Sequence, residues 1–360
     1  MAEEDNFFKS IVKNGSTSSA AKFEDCFQLF DSDKDGFLNK TEFQRLLQRA
    51  FDDSQIDETK TLEFLKVLDK DKDGKINKTE FETCWFHWLK QVFDPKTALI
   101  VVDVQNDFID GTLAIKKGDA KQEGSEVIPV INKMLDEINF DFVVYSKDWH
   151  PKDHISFVEN VSKRPLHKRS AISNASEAKE LDIVVFDGDI VMEQKLWPAH
   201  CIQSSWGAEL HKDLKVVDNS ININKGTNPN IDSYSAFWDN KMLSQTGLVN
   251  ELTKRGITDV YVCGLAYDVC VSSTAIHSIE HGFRTLIVED ACRGLKVNTI
   301  NQMKDRFLRK GGMIIQSWEV QPIAGAKKRP VTLGYQAALN IAMAKNLVMT
   351  DSRKPNGTKS

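Results

Sequence analysis

The sequence predicts an α/β chain: a three-layer domain built on a parallel β-sheet, preceded by a smaller all-α domain. Three observations lead there. From about Thr97 onward, short β-rich runs alternate with amphipathic helical stretches, the pattern of a parallel sheet covered by helices on both faces. Ahead of Thr97, a twelve-residue acidic string occurs twice, each copy between helical patterns. The 360 residues are too many for one compact core and suit two or three domains.

The acidic string runs Asp31-Ser-Asp-Lys-Asp-Gly-Phe-Leu-Asn-Lys-Thr-Glu42 and returns as Asp69-Lys-Asp-Lys-Asp-Gly-Lys-Ile-Asn-Lys-Thr-Glu80. Phe23, Phe27 and Phe30 lead into the first copy, and Phe43, Leu46 and Leu47 lead out of it. Leu62, Leu65 and Leu68 enter the second copy, also at helical spacing. A hard cation such as calcium takes roughly six to eight oxygens in a flexible cage. Asp31, Asp33, Asp35 and Glu42 supply carboxylates in the first loop, with Phe37 giving a backbone carbonyl. Asp69, Asp71, Asp73 and Glu80 repeat the set, with Lys75 at the carbonyl position. Gly36 and Gly74 stand where such a loop needs positive φ. Leu38 and Ile76 stand where paired loops join through a short β bridge, and Asn39 and Asn77 where a side chain can orient a water. A single acidic triplet is usually a solvated surface loop, but chance does not produce two complete copies. Over both loops the chain resembles the EF-hand family, which implies bound Ca2+.

In the α/β part the β-rich runs are Thr97–Val102, Phe142–Ser146, Val260–Cys263, Thr285–Val288 and Met313–Gln316. Helices are expected at about 126–137, 248–255, 271–281 and 300–309. Asp187-Gly188-Asp189, between two more β-rich runs, reads as a hairpin within a crossover.

Active sites of open α/β sheets lie at the carboxyl ends of strands, and several chemistry-bearing residues fall there. Asp103 ends the first apolar run, where a turn or capping Asp would look the same. Asp148-Trp-His150 follows the second run, with His154 close behind, and His200 stands in Leu196-Trp-Pro-Ala-His200-Cys201. One Asp with two or three His is a ligand set for zinc or a similar divalent ion, although Asp-x-His alone is a weak signal. Lys225 follows a short β-like run, where a surface lysine is the bland reading. Cys270 follows a strand and a glycine-containing turn, and opens a helix with the apolar stripe Val271, Ala275, Ile276 and Ile279. A thiol at a helix N-terminus has its thiolate stabilised. Cys201, Cys263 and Cys292 read as buried structural cysteines.

Asp103, Lys225 and Cys270, with Asp148-x-His150 and His200, together resemble the nicotinamidase family of isochorismatase-like cysteine hydrolases. The matching strings are Ala98-Leu-Ile-Val-Val-Asp103-Val-Gln-Asn-Asp-Phe108, Asp148-Trp-His150-Pro, Leu196-Trp-Pro-Ala-His200-Cys201, Tyr234-Ser-Ala-Phe237 and the Cys270 loop, between about Lys96 and Gln316. With the acidic repeats in front, the chain is similar to the EF-hand-fused nicotinamidases of invertebrate animals. The resemblance implies an isochorismatase-like fold and hydrolysis of nicotinamide to nicotinic acid and ammonia through a thioester, feeding NAD salvage. It implies Cys270 as nucleophile, Asp103 as proton carrier, and Lys225 as the group that stabilises the thiolate and orients Asp103. The backbone N–H groups of Ala266 and Cys270 would form the oxyanion hole, after a cis peptide preceding Ala266. Asp148, His150 and His200 would hold Zn2+ or another divalent metal that anchors the pyridine nitrogen. Phe108 and Trp197 would pack on the ring, and His154 is a further candidate ligand. The chemistry agrees, since an amide needs a strong nucleophile, a proton for its nitrogen and donors aimed at the oxyanion.

Two other readings stay open. One is a calcium sensor whose second domain is a non-catalytic binding module, although an inactive relative would be expected to lose Asp103, Lys225 or Cys270. The other is a related hydrolase of isochorismate or another small amide, against which the metal set argues.

Domain limits are expected at 1–92 for the EF-hand pair and 93–322 for the hydrolase, with 323–360 a partly disordered C-terminal extension. Trp85, Phe86, Trp88 and Leu89 are expected to dock on the catalytic domain, because so large an exposed patch would be sticky. The alternative is that they fill the EF-hand core. A net charge of -5 gives no reason to expect nucleic acid. No run approaches the ~18 apolar residues that span a bilayer, and no leader segment is expected. Six cysteines without CxxC spacing point to reduced thiols. The expectation is a cytoplasmic protein, with the nucleus also open, acting on nicotinamide as a small-molecule substrate and engaging no nucleic acid or membrane. A homo-oligomer is left open.

Overall fold

The computed structural model describes residues 4, 7, 8, 10 and 20–351. The chain divides into two compact units, one of residues up to Lys96 with Gly282–Arg284 and those from Gln321 on, the other of Thr97–His281 with Thr285–Val320.

The first unit is helical. Helices α1 (Ala20–Phe30) and α2 (Lys40–Phe51) flank the first acidic loop, and α3 (Glu58–Leu68) and α4 (Lys78–Cys84) flank the second. Two-residue strands β1 (Phe37–Leu38) and β2 (Ile76–Asn77) join the loops antiparallel, Leu38 opposite Ile76. Asn39 and Asn77 act as N-caps, each in a reciprocal box with Glu42 or Glu80 three residues on. Phe27, Phe30, Phe43, Phe64 and Phe81 form the core. Of the leucines leading into the second loop, Leu65 and Leu68 are buried and Leu62 is exposed, while Phe64 is fully buried. After α4 the chain continues through a π turn, Trp85–Leu89, into Lys90–Phe93. Trp85, Trp88 and Leu89 are buried in this unit's own core, which accounts for the aromatic cluster without a docking partner.

The second unit is a six-stranded parallel sheet with helices between its strands. Its elements are β3 (Thr97–Val102), α5 (Val127–Glu137), β4 (Phe142–Asp148), a hairpin of β5 (Ile183–Phe186) and β6 (Met192–Lys195), and β7 (Ser220–Lys225). There follow α6 (Leu248–Lys254), β8 (Asp259–Leu265), α7 (Ser272–Glu280), β9 (Arg284–Arg293), α8 (Val297–Arg309) and β10 (Met313–Ile315). The strand order is β10-β9-β8-β3-β4-β7. β3 and β8 are buried along their whole length, as suits the mostly apolar runs 98–102 and 260–263. The order reverses between β3 and β8, so a crevice opens at their carboxyl ends.

The chain ends in α9 (Ser317–Ala324) and α10 (Val331–Asp351). The segment set apart from sequence as an extension therefore contains a long helix that belongs to the first unit. The disorder expected there concerns residues 352–360, which lie outside the described residues. Among the described residues no helix is long and apolar enough to cross a membrane.

Candidate active site and calcium loops

Four neighbouring strands each deliver a polar side chain to the crevice. Asp103 follows β3 directly in a left-handed conformation, φ +49°. Asp148 and Lys225 end β4 and β7 and lie opposite each other in register. β8 ends at Leu265, a cis peptide joins Leu265 to Ala266, and Cys270 sits in the π turn Tyr267–Val271 that leads into α7. Gly264 allows β8 to lie against β3, since a Cβ there would stand 2.1 Å from the Val102 carbonyl oxygen.

Asp103, Lys225 and Cys270 meet in a buried cluster, at 0%, 2% and 5% exposure. Lys225 Nζ lies 2.9 Å from Asp103 Oδ2 and 3.3 Å from Cys270 Sγ, and donates to the Ser233 carbonyl at 3.0 Å. It also donates to Asp148 Oδ1. Ser146 Oγ donates to Asp103 Oδ1 at 2.7 Å. Burial pushes the Cys270 thiol well above its ordinary range, against the pull of the Lys225 ammonium. Burial likewise raises Asp103, and Lys225 opposes it. Burial works against the charge on Lys225, but Asp103 and Asp148 overrule it and hold the ammonium protonated.

Beside this cluster, Asp148, His150 and His200 each bring a ligand atom within 4.8 Å of the others. The Nε2 atoms of His150 and His200 both stand 3.6 Å from Asp148 Oδ2. Their Nδ1 atoms are engaged elsewhere, at 2.9 Å from the Gly226 carbonyl and 2.8 Å from the Pro198 carbonyl. Backbone carbonyls at Nδ1 fix the tautomer that leaves Nε2 as a lone-pair donor, the usual support of a metal-binding histidine. Gly226 is required for this, because it has φ +63° and a Cβ there would sit 2.3 Å from the His150 ring. His154 stacks on His150 at 4.0 Å between ring centroids, with Nδ1 2.7 Å from Ser156 Oγ. Its Nε2 is buried and has no hydrogen-bond partner among the described residues. Converging nitrogens, a carboxylate and an orphaned buried nitrogen fit a divalent cation. A single cavity joins the two clusters, lined by Phe108, Asp148, Trp197, His200, Tyr234, Ala266 and Cys270 among others. Phe108 packs on His200 at 5.6 Å between ring centroids.

In the first unit the calcium-type loops are formed. Asp31, Asp33 and Glu42 bring oxygens within 4.8 Å of one another, as do Asp69, Asp71 and Asp73. Gly36 and Gly74 both have φ +85°. Asp31 Oδ1 is buried without a hydrogen-bond partner, an orphan that a cation would satisfy. The Asp35 and Lys75 side chains pair across the two loops at 3.1 Å. The Phe37 and Lys75 N–H groups close the loops on Asp35 and Asp73.

Residues 97–319 match the isochorismatase domain. The chain belongs to the isochorismatase family. Residues 21–85 match an EF-hand domain pair, so the family's hydrolase domain is here preceded by an EF-hand pair. Within the isochorismatase family the chain is 38% identical to a nicotinamidase of Acinetobacter baylyi, over 56% of this chain and 83% of that one. It is 35% identical to a nicotinamidase of Schizosaccharomyces pombe, over 57% and 86%. Among solved structures it resembles an Acinetobacter baumanii nicotinamidase–pyrazinamidase, with 37% identity and a TM-score of 0.53, covering 62% of this chain and 98% of that one.

Three further residues shape this isochorismatase site that the sequence did not single out. Gln105 brackets Asp148, accepting from its N–H and donating to its carbonyl, both at 2.8 Å. Asp107 accepts from the Cys201 N–H at 2.7 Å and from the Thr112 N–H at 3.1 Å, buckling the segment that carries His200. Asp232 brings an oxygen to the group formed with His150 and His154. Gln105 and Asp107 lie in the string that begins at Ala98, but nothing in spacing distinguishes a buried tie to a distant backbone from a surface polar residue.

Proposed function

We propose that the chain is a nicotinamidase, hydrolysing nicotinamide to nicotinic acid and ammonia. The observation that carries this is that Cys270, held with Asp103 and Lys225 in a buried cluster, lines the same cavity as Asp148 and His200, which group with His150. A flat ring with a carboxamide on one side and a nitrogen on the other spans the two.

Asp103 takes the thiol proton as Cys270 Sγ attacks the carboxamide carbon. Its raised pKa makes it a good place to hold that proton. Lys225 faces Asp103 and Cys270 together, so it steadies the charge wherever the proton is. The N–H groups of Ala266 and Cys270 receive the oxyanion. Asp103 then gives the proton to nitrogen, the C–N bond breaks, and ammonia leaves a thioester on Cys270. Water, deprotonated by Asp103, attacks the thioester carbon. The C–S bond breaks, nicotinic acid forms, and the proton returns to sulfur. Phe108 and Trp197 pack on the ring. Asp148, His150 and His200 would hold a divalent ion, zinc suiting this donor set, and it supplies a positive centre for the pyridine nitrogen. Ca2+ occupies the two EF-hand loops.

The test is ammonia release from nicotinamide by the purified full-length chain, supplied with a divalent metal, against Cys270→Ala. Turnover by the native chain and a loss of at least ~1000-fold in the variant are expected. A folded, metal-loaded chain that releases no ammonia would refute the assignment.

A further inference from the structure

The apolar groove of the EF-hand pair is covered by the chain's own helix α10. α10 lays Gly334, Ala337, Ala338 and Ile341 on it, the spacing of one helix face. Ala337 and Ala338 are 0% exposed within the pair's core. Trp88 Nε1 donates to the Gly334 carbonyl at 2.8 Å, and a Cβ on Gly334 would stand 2.2 Å from the Phe51 ring. Tyr335 meets Phe64 edge-on at 5.2 Å, with Lys60 Nζ 4.7 Å over its other side.

The walls of this groove belong to helices whose directions the loops set. Phe51 closes α2, whose first turn holds Glu42. Phe64 lies on α3, which runs into Asp69. Trp88 follows α4, whose first turn holds Glu80. In sensor EF-hands a bound cation turns such helices apart and opens a groove that accepts an amphipathic helix. Here Phe51, Phe64 and Trp88 form one ring cluster, Phe51 to Trp88 at 6.0 Å and Phe64 to Trp88 at 5.5 Å between centroids, and the Gly334 backbone packs directly on it.

We propose that α10 is the resident target helix of this EF-hand pair, and that its docking and Ca2+ binding strengthen each other. The proposal rests on the calcium reading above. α10 and the cation both act on the one arrangement of these loop-flanking helices, so linkage makes their coupling positive and reciprocal. The occupant is a segment of this chain, so the pair has no free groove to offer an external helix while α10 is docked.

The experiment is a Ca2+ titration of the full-length chain, of Gly334→Leu and of a chain ending at Ala326. A synthetic peptide of residues 327–345 is then added to the shortened chain. Calcium affinity is expected to fall about tenfold in both variants, and the peptide to restore it in the shortened chain. In the native chain, amide exchange over residues 331–342 is expected to slow in Ca2+ relative to chelator, a readout that needs no variant to fold. Unchanged or tighter affinity in the variants, or exchange indifferent to Ca2+, overturns the coupling. A native chain that binds no Ca2+ at all overturns the calcium reading itself.

Discussion

Lys225 has more partners than a lysine after a short β-like run suggests. Its ammonium faces Asp103, Asp148 and Cys270, and it separates two carboxylates that look alike in sequence. Burial disfavours both anions, but Lys225 and His150 hold Asp148 well below the ordinary carboxylate range, while Asp103 stays raised. The two carboxylates are thus pushed in opposite directions, which suits the proposed division between Asp148 as a standing anion and Asp103 as proton carrier. Asp103 must be ionised to take the thiol proton. Because its pKa is raised, activity is lost as pH falls through that raised value. The acid limb of kcat/KM is therefore expected above the ordinary aspartate value of about 3.9, and a pH–rate profile with a limb at or below it would contradict this role. Gly226→Ala is expected to displace the His150 ring, given the 2.3 Å approach of its Cβ, and to lower bound metal below one equivalent by elemental analysis. Full occupancy in that variant would remove His150 from the metal set. The chemical residues were legible because their types are rare at strand ends. Their supports were not, because Asp107 acts on a backbone N–H 94 positions away.

Elements were legible in proportion to how much of their own apolar surface they bury. β3 and β8 are buried throughout, and the apolar stretches 98–102 and 260–263 mark them. β7, at the sheet edge, alternates polar residues and buries only part of its length, so it left only a weak strand signal. The end of α4 was ambiguous for the opposite reason. Trp85 and Trp88 are apolar enough to suit any interface, and their burial within the helical unit shows which one they serve. α10 was missed because its docked face is made of Gly334, Ala337 and Ala338, whose contribution is close approach rather than apolar bulk. The large side chains at that contact, Phe51, Phe64 and Trp88, belong to the other side.

At the scale of the molecule, the EF-hand unit combines residues that precede and follow the hydrolase sheet in sequence, with Gly282–Arg284 added. Loading the loops should therefore stabilise a unit that the C-terminus completes. Free Ca2+ at a hundredfold excess over its dissociation constant adds about 2.7 kcal/mol for one site that only the folded state possesses. Scanning calorimetry in Ca2+ and in chelator is expected to show a higher Tm with Ca2+, and Glu42→Gln combined with Glu80→Gln should erase the difference. A Tm indifferent to Ca2+ in the native chain would mean the loops do not hold it under those conditions. The sequence by itself determined the parallel sheet, the paired acidic loops and the residue types of the site, because periodicity, loop carboxylates and strand-end polar groups are local properties of the chain. Only the tertiary structure decided that Asp148 serves both Lys225 and the histidines, that Asp107 and Gln105 hold the site's frame, and that the C-terminal helix completes the EF-hand unit. Those are contacts between segments far apart in sequence, and their energies come from burial and geometry that no local pattern encodes.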